Sequence, residues 1–145
     1  MEPIKNPRAV PKTQKLVLSS IISKAVLKII NAQRDAIITI FEDGSTLSGK
    51  ITWMLNPNDE NGNPKTDPLN PDENLRSRDR LGMVMMHDFA HIEGNVWDNG
   101  RLYDPKSGKT YTGMMTLKDE NTLDLRGYIG FSFIGRSSTW TRKLD

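Results

Sequence analysis

Two histidines, His87 and His91, have the spacing in this chain that most resembles a metal site. On a helix, residues four apart lie about 6 Å from each other and could share one ion. In a strand the same spacing separates them by about 13 Å, which is too far for a common ion. The neighbouring Met83, Met85 and Phe89 alternate as they would in a strand. We therefore predict two hydrogen-bonded histidines on a strand, with no metal and no cofactor.

A polar stretch from Asn56 to Arg80, hereafter the long loop, has no regular periodicity. Loops of this length inside compact domains are uncommon and are usually functional lids or disordered. Oxygen-rich loops suit calcium, but aligning Gly62 with the obligate glycine of an EF-hand puts Pro57 and Pro68 at ligand positions. We therefore expect solvated turn carboxylates here. The acidic residues concerned are Asp59, Glu60, Asp67, Asp72, Glu73 and Asp79.

Three arginines, Arg76, Arg78 and Arg80, occupy alternate positions at the end of the long loop. On an extended segment they would point to one side, where they could grip an anionic ligand through paired hydrogen bonds. Pairing with the neighbouring acids is favoured, because the loop supplies many partners. Arg78 is the loop residue that we select as a candidate for binding.

Nucleophilic catalysis has little support in the sequence. The run Gly135-Arg-Ser-Ser-Thr139 lacks the Gly-x-Ser-x-Gly elbow, and nothing nearby supplies a base for Ser137 or Ser138. The chain contains no cysteine, so thiol nucleophiles, thiolate metal sites and disulfides are excluded. We predict no catalytic residue and favour a protein that is not an enzyme. A hydrolase would require a close pair of buried carboxylates.

Hairpin turns divide most of the chain into short runs. Asp43-Gly44, Glu93-Gly94 and Asn99-Gly100 each stand between apolar runs, and glycine supplies the positive φ that tight turns require. Asp104 to Gly108 and Asp119 to Asn121 predict two further turns. Turns this close together leave room for strands rather than helices.

The runs between the turns alternate with the period of two that places one face of a strand in a core. Thr46 to Leu55, Lys109 to Leu117 and Thr122 to Phe131 all follow this pattern. The residues predicted to face inward are Leu47, Ile51, Trp53, Leu55, Tyr111, Gly113, Met115, Leu117, Leu123, Leu125, Ile129 and Phe131.

The number of runs predicts an all-β fold, a small antiparallel up-and-down β-barrel of about eight strands with one long loop. Closure of the sheet removes exposed edges. A barrel of this size is either filled by side chains or holds one small ligand.

Charge and hydropathy separate a short amino-terminal segment from the body. Residues 1–28 carry six Lys or Arg against one Glu, whereas the remainder carries 14 against 17, so the body is mildly acidic. That balance excludes a nucleic-acid surface, which needs a dense basic patch. No apolar run reaches the length of a membrane-spanning helix. We expect residues 1–24 to be a basic arm or a degenerate signal segment and residues 25–145 to form a single barrel domain.

Three ordered blocks carry a family resemblance: Tyr103 to Tyr111, Leu125 to Gly130, and Gly135 to Arg142. With Asp67-Pro-Leu-Asn-Pro71 and Arg78 upstream, the chain resembles the bacterial family called domain of unknown function 2147. The resemblance implies a lipocalin-like or calycin-like barrel, usually exported to the periplasm or cell surface, with no established ligand. A cytoplasmic location is the alternative.

One departure concerns the first strand. Lipocalin-like members begin it with Gly-x-Trp, and the equivalent run here, Val26 to Ile30, contains neither residue. In such barrels the tryptophan packs beneath an arginine of the last strand. The departure leaves Arg136 or Arg142 without that partner, and Trp53 or Trp140 could substitute for it, because an arginine over an indole face is stabilising.

The first functional hypothesis is a non-enzymatic binding module of the cell envelope, with a small apolar or amphipathic ligand in the barrel mouth under the long loop. The residues predicted to line that site are Trp53, Tyr111, Phe131 and Trp140, with Arg142 as a polar anchor. The alternative is an interaction or structural protein with a filled core. It would contact a protein partner or a membrane surface through the long loop or the amino-terminal arm.

Overall fold

The computed structural model describes residues 27–128 and 135–143 of the chain. Within them lie eight strands and one short 3₁₀ helix, Glu73–Leu75. The strands are β1 Leu27–Ile30, β2 Ala36–Asp43, β3 Thr46–Met54, β4 Val84–Glu93, β5 Val96–Asp104, β6 Lys109–Asp119, β7 Thr122–Tyr128 and β8 Gly135–Arg142. The predicted arm, residues 1–24, lies outside the described residues. In the described part of the chain, no helix has the length and apolar character needed to cross a membrane.

The eight strands form a closed barrel in which each strand pairs antiparallel with its neighbours in sequence. Closure is made by β1 and β8, where Ile29 lies opposite Arg142 and Ile30 opposite Thr141. The up-and-down barrel predicted from the sequence is confirmed. The first strand therefore joins the last without a Gly-x-Trp motif.

The tight turns lie where the sequence predicts them, with one exception. Gly44 and Gly94 have φ of 64° and 49° and lie in the β2–β3 and β4–β5 turns, as predicted. The prediction of a turn at Asn99-Gly100 is wrong, because both residues lie inside β5. Asn99 has φ of 59°, and the pairing of β5 with β6 shifts by one residue between Trp97 and Gly100. The Asn-Gly pair therefore makes a β-bulge, which needs the same backbone conformation as a turn.

A second bulge reverses the predicted faces at the end of β3. Ile37 pairs with Trp53 and Ile38 with Ile51, so Thr52 is an extra residue in β3. Beyond an extra residue the alternation of side chains changes face. Trp53 is consequently 43% exposed, whereas the next residue, Met54, packs against the core.

A bulge in β4 similarly changes which of its residues fill the core. Asp88 has φ of 61°, and the inward-facing residues of this strand are Met86 and Phe89, both 0% exposed. The sequence placed Phe89 on a common face with Met83 and Met85, which a regular strand would require. Because of the bulge, the two buried residues Met86 and Phe89 are three positions apart, whereas residues on one face of a regular strand are an even number apart.

Phe89 divides the barrel interior into two compartments. A Cβ atom added to Gly100 would overlap its ring, and one added to Gly113 would lie 2.7 Å from its Cζ atom. Two neighbouring strands therefore carry glycine where the ring crosses the barrel. One compartment is packed by side chains that include Leu47, Met115 and Leu123, leaving a void of only about 20 Å³. The other compartment, at the opposite end, is hollow.

We predict that Gly100→Ala lowers the free energy of unfolding by about 1–3 kcal/mol, because the added methyl group overpacks the core against Phe89. The control is Gly127→Ala, whose Cβ would lie 3.5 Å from the nearest atom, on Tyr111. Urea denaturation measures both variants. Equal stability of the two would contradict the placement of the Phe89 ring.

Candidate functional site

The hollow compartment is a cavity of about 350 Å³ at the barrel mouth. Its floor is formed by side chains from five strands, and its rim by residues of the connections between strands and of the long loop. The floor includes Ile38, Ile51, Leu102, Leu125 and Trp140, and the rim includes Asn31, Gln33, Asp35, Asn56, Lys65, Arg80, Asp104 and Lys106. Sites for small molecules have volumes of about 300 Å³ and more and combine an apolar lining with a few polar groups. The cavity has both properties.

Two carboxylates on the rim, those of Asp35 and Asp104, accept hydrogen bonds from neighbouring residues. Asp35 accepts hydrogen bonds from Asn31 Nδ2 at 2.6 Å and Lys106 Nζ at 2.9 Å. The bond from Asn31, and then the Lys106 ammonium, keep the pKa of Asp35 below its usual range. Asp104 accepts from the backbone N–H of Lys106 and the hydroxyl of Ser107 in the β5–β6 turn. Both are half-buried and engaged in these structural contacts.

A third carboxylate, Asp67, organises the long loop. It is 0% exposed, although it lies in a segment that the sequence indicates is solvated. Its Oδ1 accepts from Tyr103 Oη of β5 at 2.6 Å. Its Oδ2 accepts from Asn70 Nδ2 at 2.8 Å and Arg78 Nε at 3.1 Å. The expectation of a solvated turn carboxylate is therefore wrong at this position.

The hydrogen bonds to Asp67 determine how it titrates. Burial alone would raise its pKa, but the bonds from Tyr103, Asn70 and Arg78 outweigh burial, and the pKa lies below the usual value of 3.8. Burial, and then the contact with the Asp67 carboxylate, raise the pKa of Tyr103 to about 12. At neutral pH the phenol is therefore the donor and the carboxylate the acceptor.

Arg78 connects this buried group with the surface of the barrel. Its side chain is 34% exposed, and its guanidinium carbon lies 5.6 Å from the centre of the Tyr103 ring. It thus forms an ion pair with Asp67 and a cation–π contact with the residue that also binds Asp67. Of the two roles weighed for Arg78, pairing with a loop acid is the one that its position supports.

The long loop is also fixed through its backbone. Arg76 Nε donates to the carbonyl of Asn70 at 2.8 Å and Arg80 Nε to that of Thr66 at 2.7 Å. Leu69 lies against the β5–β6 turn, because a Cβ atom on Gly108 would overlap its carbonyl group. The loop thus crosses the barrel from the β3–β4 side to the β5–β6 side and forms part of the cavity rim.

The aromatic residues predicted for the site do not all line the cavity. Tyr111 and Trp140 both line the cavity. Trp53 does not, because the bulge at Thr52 turns it outward. Phe131 lies outside the described residues.

The predicted anchor Arg142 does not line the cavity. Its backbone N–H donates to the carbonyl of Asn121 in the β6–β7 turn at 2.8 Å, and the residue pairs with Ile29. That turn lies at the packed end, whereas the cavity opens beside Asn31. Arg142 is half-buried and is not part of the cavity lining.

None of the rim residues was predicted as a site residue from the sequence, and Lys65 and Arg80 are the two from the long loop's charged positions. Arg80 was considered within the arginine triplet, but Lys65 had no signal beyond its charge. Their approach to the cavity depends on the path of the long loop, and that path depends on the burial of Asp67. Local sequence does not report such a long-range contact.

The two histidines lie on β4, as predicted. His87 Nε2 is 3.1 Å from the carbonyl oxygen of Val84, and His91 Nε2 is 2.8 Å from that of Gly94. Each ring therefore has its own backbone partner. Within residues 27–128 and 135–143, no group of three or more His, Cys, Asp or Glu side chains is arranged to hold a metal ion.

The barrel has a counterpart among solved structures. It superimposes with a TM-score of 0.68 on protein HP1028 from the human pathogen Helicobacter pylori, which is described as belonging to the lipocalin family. The two are 22% identical, over 83% of this chain and 82% of that chain. The similarity defines the present protein as a lipocalin-like barrel.

The chain belongs to the family domain of unknown function 2147, described as an uncharacterised protein conserved in bacteria, which matches residues 27–142. The resemblance noted in the sequence is thereby confirmed. No curated protein matches the chain.

We predict that Asp67→Asn lowers the free energy of unfolding by about 1.5–3 kcal/mol, because a neutral amide cannot satisfy the donors that converge on the buried carboxylate. Asp79→Asn is the matched control, since Asp79 lies on the same loop and is exposed. Chemical denaturation measures both. An equal and small loss in both variants would show that the Asp67 contacts contribute nothing particular.

The same contacts predict a dependence on pH. Because the pKa of Asp67 is lower in the folded protein than the usual 3.8, its charge stabilises the fold above that pH. The contribution is lost as the pH falls through the folded-state pKa. The difference in unfolding free energy between wild type and Asp67→Asn should therefore decrease below about pH 4. A difference that stays constant from neutral to acid pH would contradict this assignment.

Proposed function

We propose that the protein binds a small apolar or amphipathic molecule in the cavity of the barrel mouth, beneath the long loop, and catalyses no reaction on it. The observation that carries the proposal is the cavity of about 350 Å³, with its apolar floor and polar rim. Its volume is within the range of small-molecule sites. It has room for roughly twelve groups of the size of a water molecule or methylene.

The arrangement of the interior supports binding rather than a filled core. Phe89 lies against Gly100 and Gly113, which stand between the residues of β5 and β6 that line the packed compartment and those that line the cavity. Packing on that side stabilises the barrel, so the mouth has no need to be filled for the fold to hold. The rings of Tyr111 and Trp140 line the space and leave it open. Aromatic walls of this kind offer a large contact area to an apolar ligand.

A second candidate function is supported by the surface of the long loop. Leu69 and Leu75 are 53% and 38% exposed, in a segment that otherwise carries polar and charged residues. Exposed leucines on an ordered loop suit contact with a protein partner. In that case the loop itself would be the functional surface, and the cavity would be incidental.

The proposed location is the cell envelope. It is supported by the family resemblance, whose members are usually exported, and by the basic and then apolar order of residues 1–24. Fractionation of cells expressing the full chain, followed by mass determination, tests both export and cleavage. Recovery of the uncleaved chain in the cytoplasm would contradict this location.

We predict that gently purified protein carries a bound small molecule, seen in native mass spectrometry as mass that disappears on denaturation. Ala36→Phe should abolish the added mass, because residue 36 lines the cavity and the larger ring would occupy it. Ala90→Phe is the matched control, at a half-buried position of β4 away from the cavity.

The proposal would be contradicted by a wild-type protein with no added mass, even after incubation with a lipid extract. Retention of the mass in Ala36→Phe would place the ligand elsewhere. A protein partner that is retained by wild type and lost on Leu69→Ser would favour the second candidate.

A further inference from the structure

The rim of the cavity carries two cations that form no ion pair with an acidic residue in the described part of the chain. Lys65 and Arg80 line the cavity and are both half-buried. Among the described residues, no carboxylate oxygen lies within the 4 Å of an ion pair from either of them. Arg80 donates through Nε to the Thr66 carbonyl, which uses one of its five N–H groups.

The backbone places these cations next to each other. The N–H of Arg80 donates to the carbonyl of Lys65 at 2.9 Å. Thr66, which follows Lys65, and Asp79, which precedes Arg80, form an antiparallel β-bridge. The two side chains therefore leave the long loop from adjacent points on the same edge of the cavity.

Three acidic residues of the long loop and the rim already have other partners. Asp67 is buried against Tyr103 and Arg78. Asp35 pairs with Lys106 at 2.9 Å, so the third cation on the rim is balanced. Asp104 accepts hydrogen bonds from its own turn. The charged groups of the lining thus leave one net positive charge, concentrated on the edge formed by Lys65 and Arg80.

A partly desolvated cation without a counterion favours an anionic ligand, because the attraction between the charges is stronger there than in water. An arginine also offers a planar pair of donors that matches a carboxylate or phosphate. The same cavity has an apolar floor, which includes Ile38, Ile51 and Leu125. Charge above an apolar pocket is the complement of an amphiphile with an acidic head.

We infer that the ligand is an anionic amphiphile, whose acidic head group lies between Lys65 and Arg80 and whose apolar tail enters the barrel mouth towards Trp140. The inference rests on the proposed function, since it concerns the occupant of the same cavity. It assigns Lys65 and Arg80 as the residues that determine specificity. Carboxylate, sulfate and phosphate heads share the chemistry that these residues recognise.

The test compares three probes of equal chain length by isothermal titration calorimetry at neutral pH, below their micelle concentrations. Decanoate carries a negative head, decanol a neutral head and decyltrimethylammonium a positive head. Wild-type protein should bind decanoate about tenfold or more tightly than decanol, and the cationic probe most weakly, because charges held close in a partly buried site contribute at least this factor.

The double variant Lys65→Gln with Arg80→Gln should lose the preference, so that it binds decanoate only as well as it binds decanol. Lys109→Gln is the matched control, because Lys109 is an exposed cation on β6 that does not line the cavity. It should retain the preference. Arg80→Lys keeps the positive charge and should retain most of it, which separates loss of charge from disturbance of the loop. Decyl sulfate and decyl phosphate then rank the acidic heads.

Equal binding of decanoate and decanol by wild type would overturn the inference and leave the proposed cavity function in place. Retention of the preference in the double variant would also overturn it, because the anion would then be recognised by other residues. Binding of none of the three probes would overturn the inference together with the proposed function, since the apolar floor alone should accept decanol.

Discussion

An ionised carboxylate that is excluded from water must receive hydrogen bonds or ionic contacts from the protein. Asp67 meets this requirement with donors from three places: Tyr103 on β5, Asn70 within the same loop and Arg78 near the loop's far end. A polar segment without a hydrophobic core of its own is thereby folded against the barrel. The position of the cavity rim follows from that single buried group.

The barrel supports this arrangement by packing one end of its interior and leaving the other end hollow. Phe89 crosses the interior over glycines on two neighbouring strands, and the compartment beyond it is packed. The strands therefore close and hold their register through one end of the molecule. The other end can remain hollow, which a barrel of eight strands permits. Lys65 and Arg80 reach this open end only because the long loop is held over it.

The sequence predicts what depends on local pattern. Alternation in Lys109 to Leu117, together with turns at Asp43-Gly44 and Glu93-Gly94, is sufficient for an up-and-down barrel, and closure by β1 and β8 completes it. Tyr111 and Trp140 face the cavity because their strands are regular up to these positions. The sequence does not predict the extra residue Thr52, which turns Trp53 outward. An Asn-Gly pair signals positive φ but does not distinguish a turn from a bulge.

The remaining differences come from contacts between distant parts of the chain. Arg142 was expected to anchor a ligand, but it pairs with Ile29 and does not line the cavity. The role of Asp67 depends on its hydrogen bond with Tyr103, which is 36 residues away in the sequence. No local motif predicts a contact over that separation. The charged edge of the cavity follows from the same contact.

The most direct test of this account is hydrogen–deuterium exchange, read by mass spectrometry, on wild type and Tyr103→Phe, which removes one donor to Asp67 and keeps the ring. The account predicts faster exchange in the long loop, including the amides of Asp67, Asn70 and Arg80 that are hydrogen-bonded in the folded protein, with β4 to β7 unchanged. Unchanged exchange in the loop would contradict the claim that the buried carboxylate holds it over the cavity. Equally faster exchange throughout the barrel would contradict the separation of the loop contacts from the stability of the packed end.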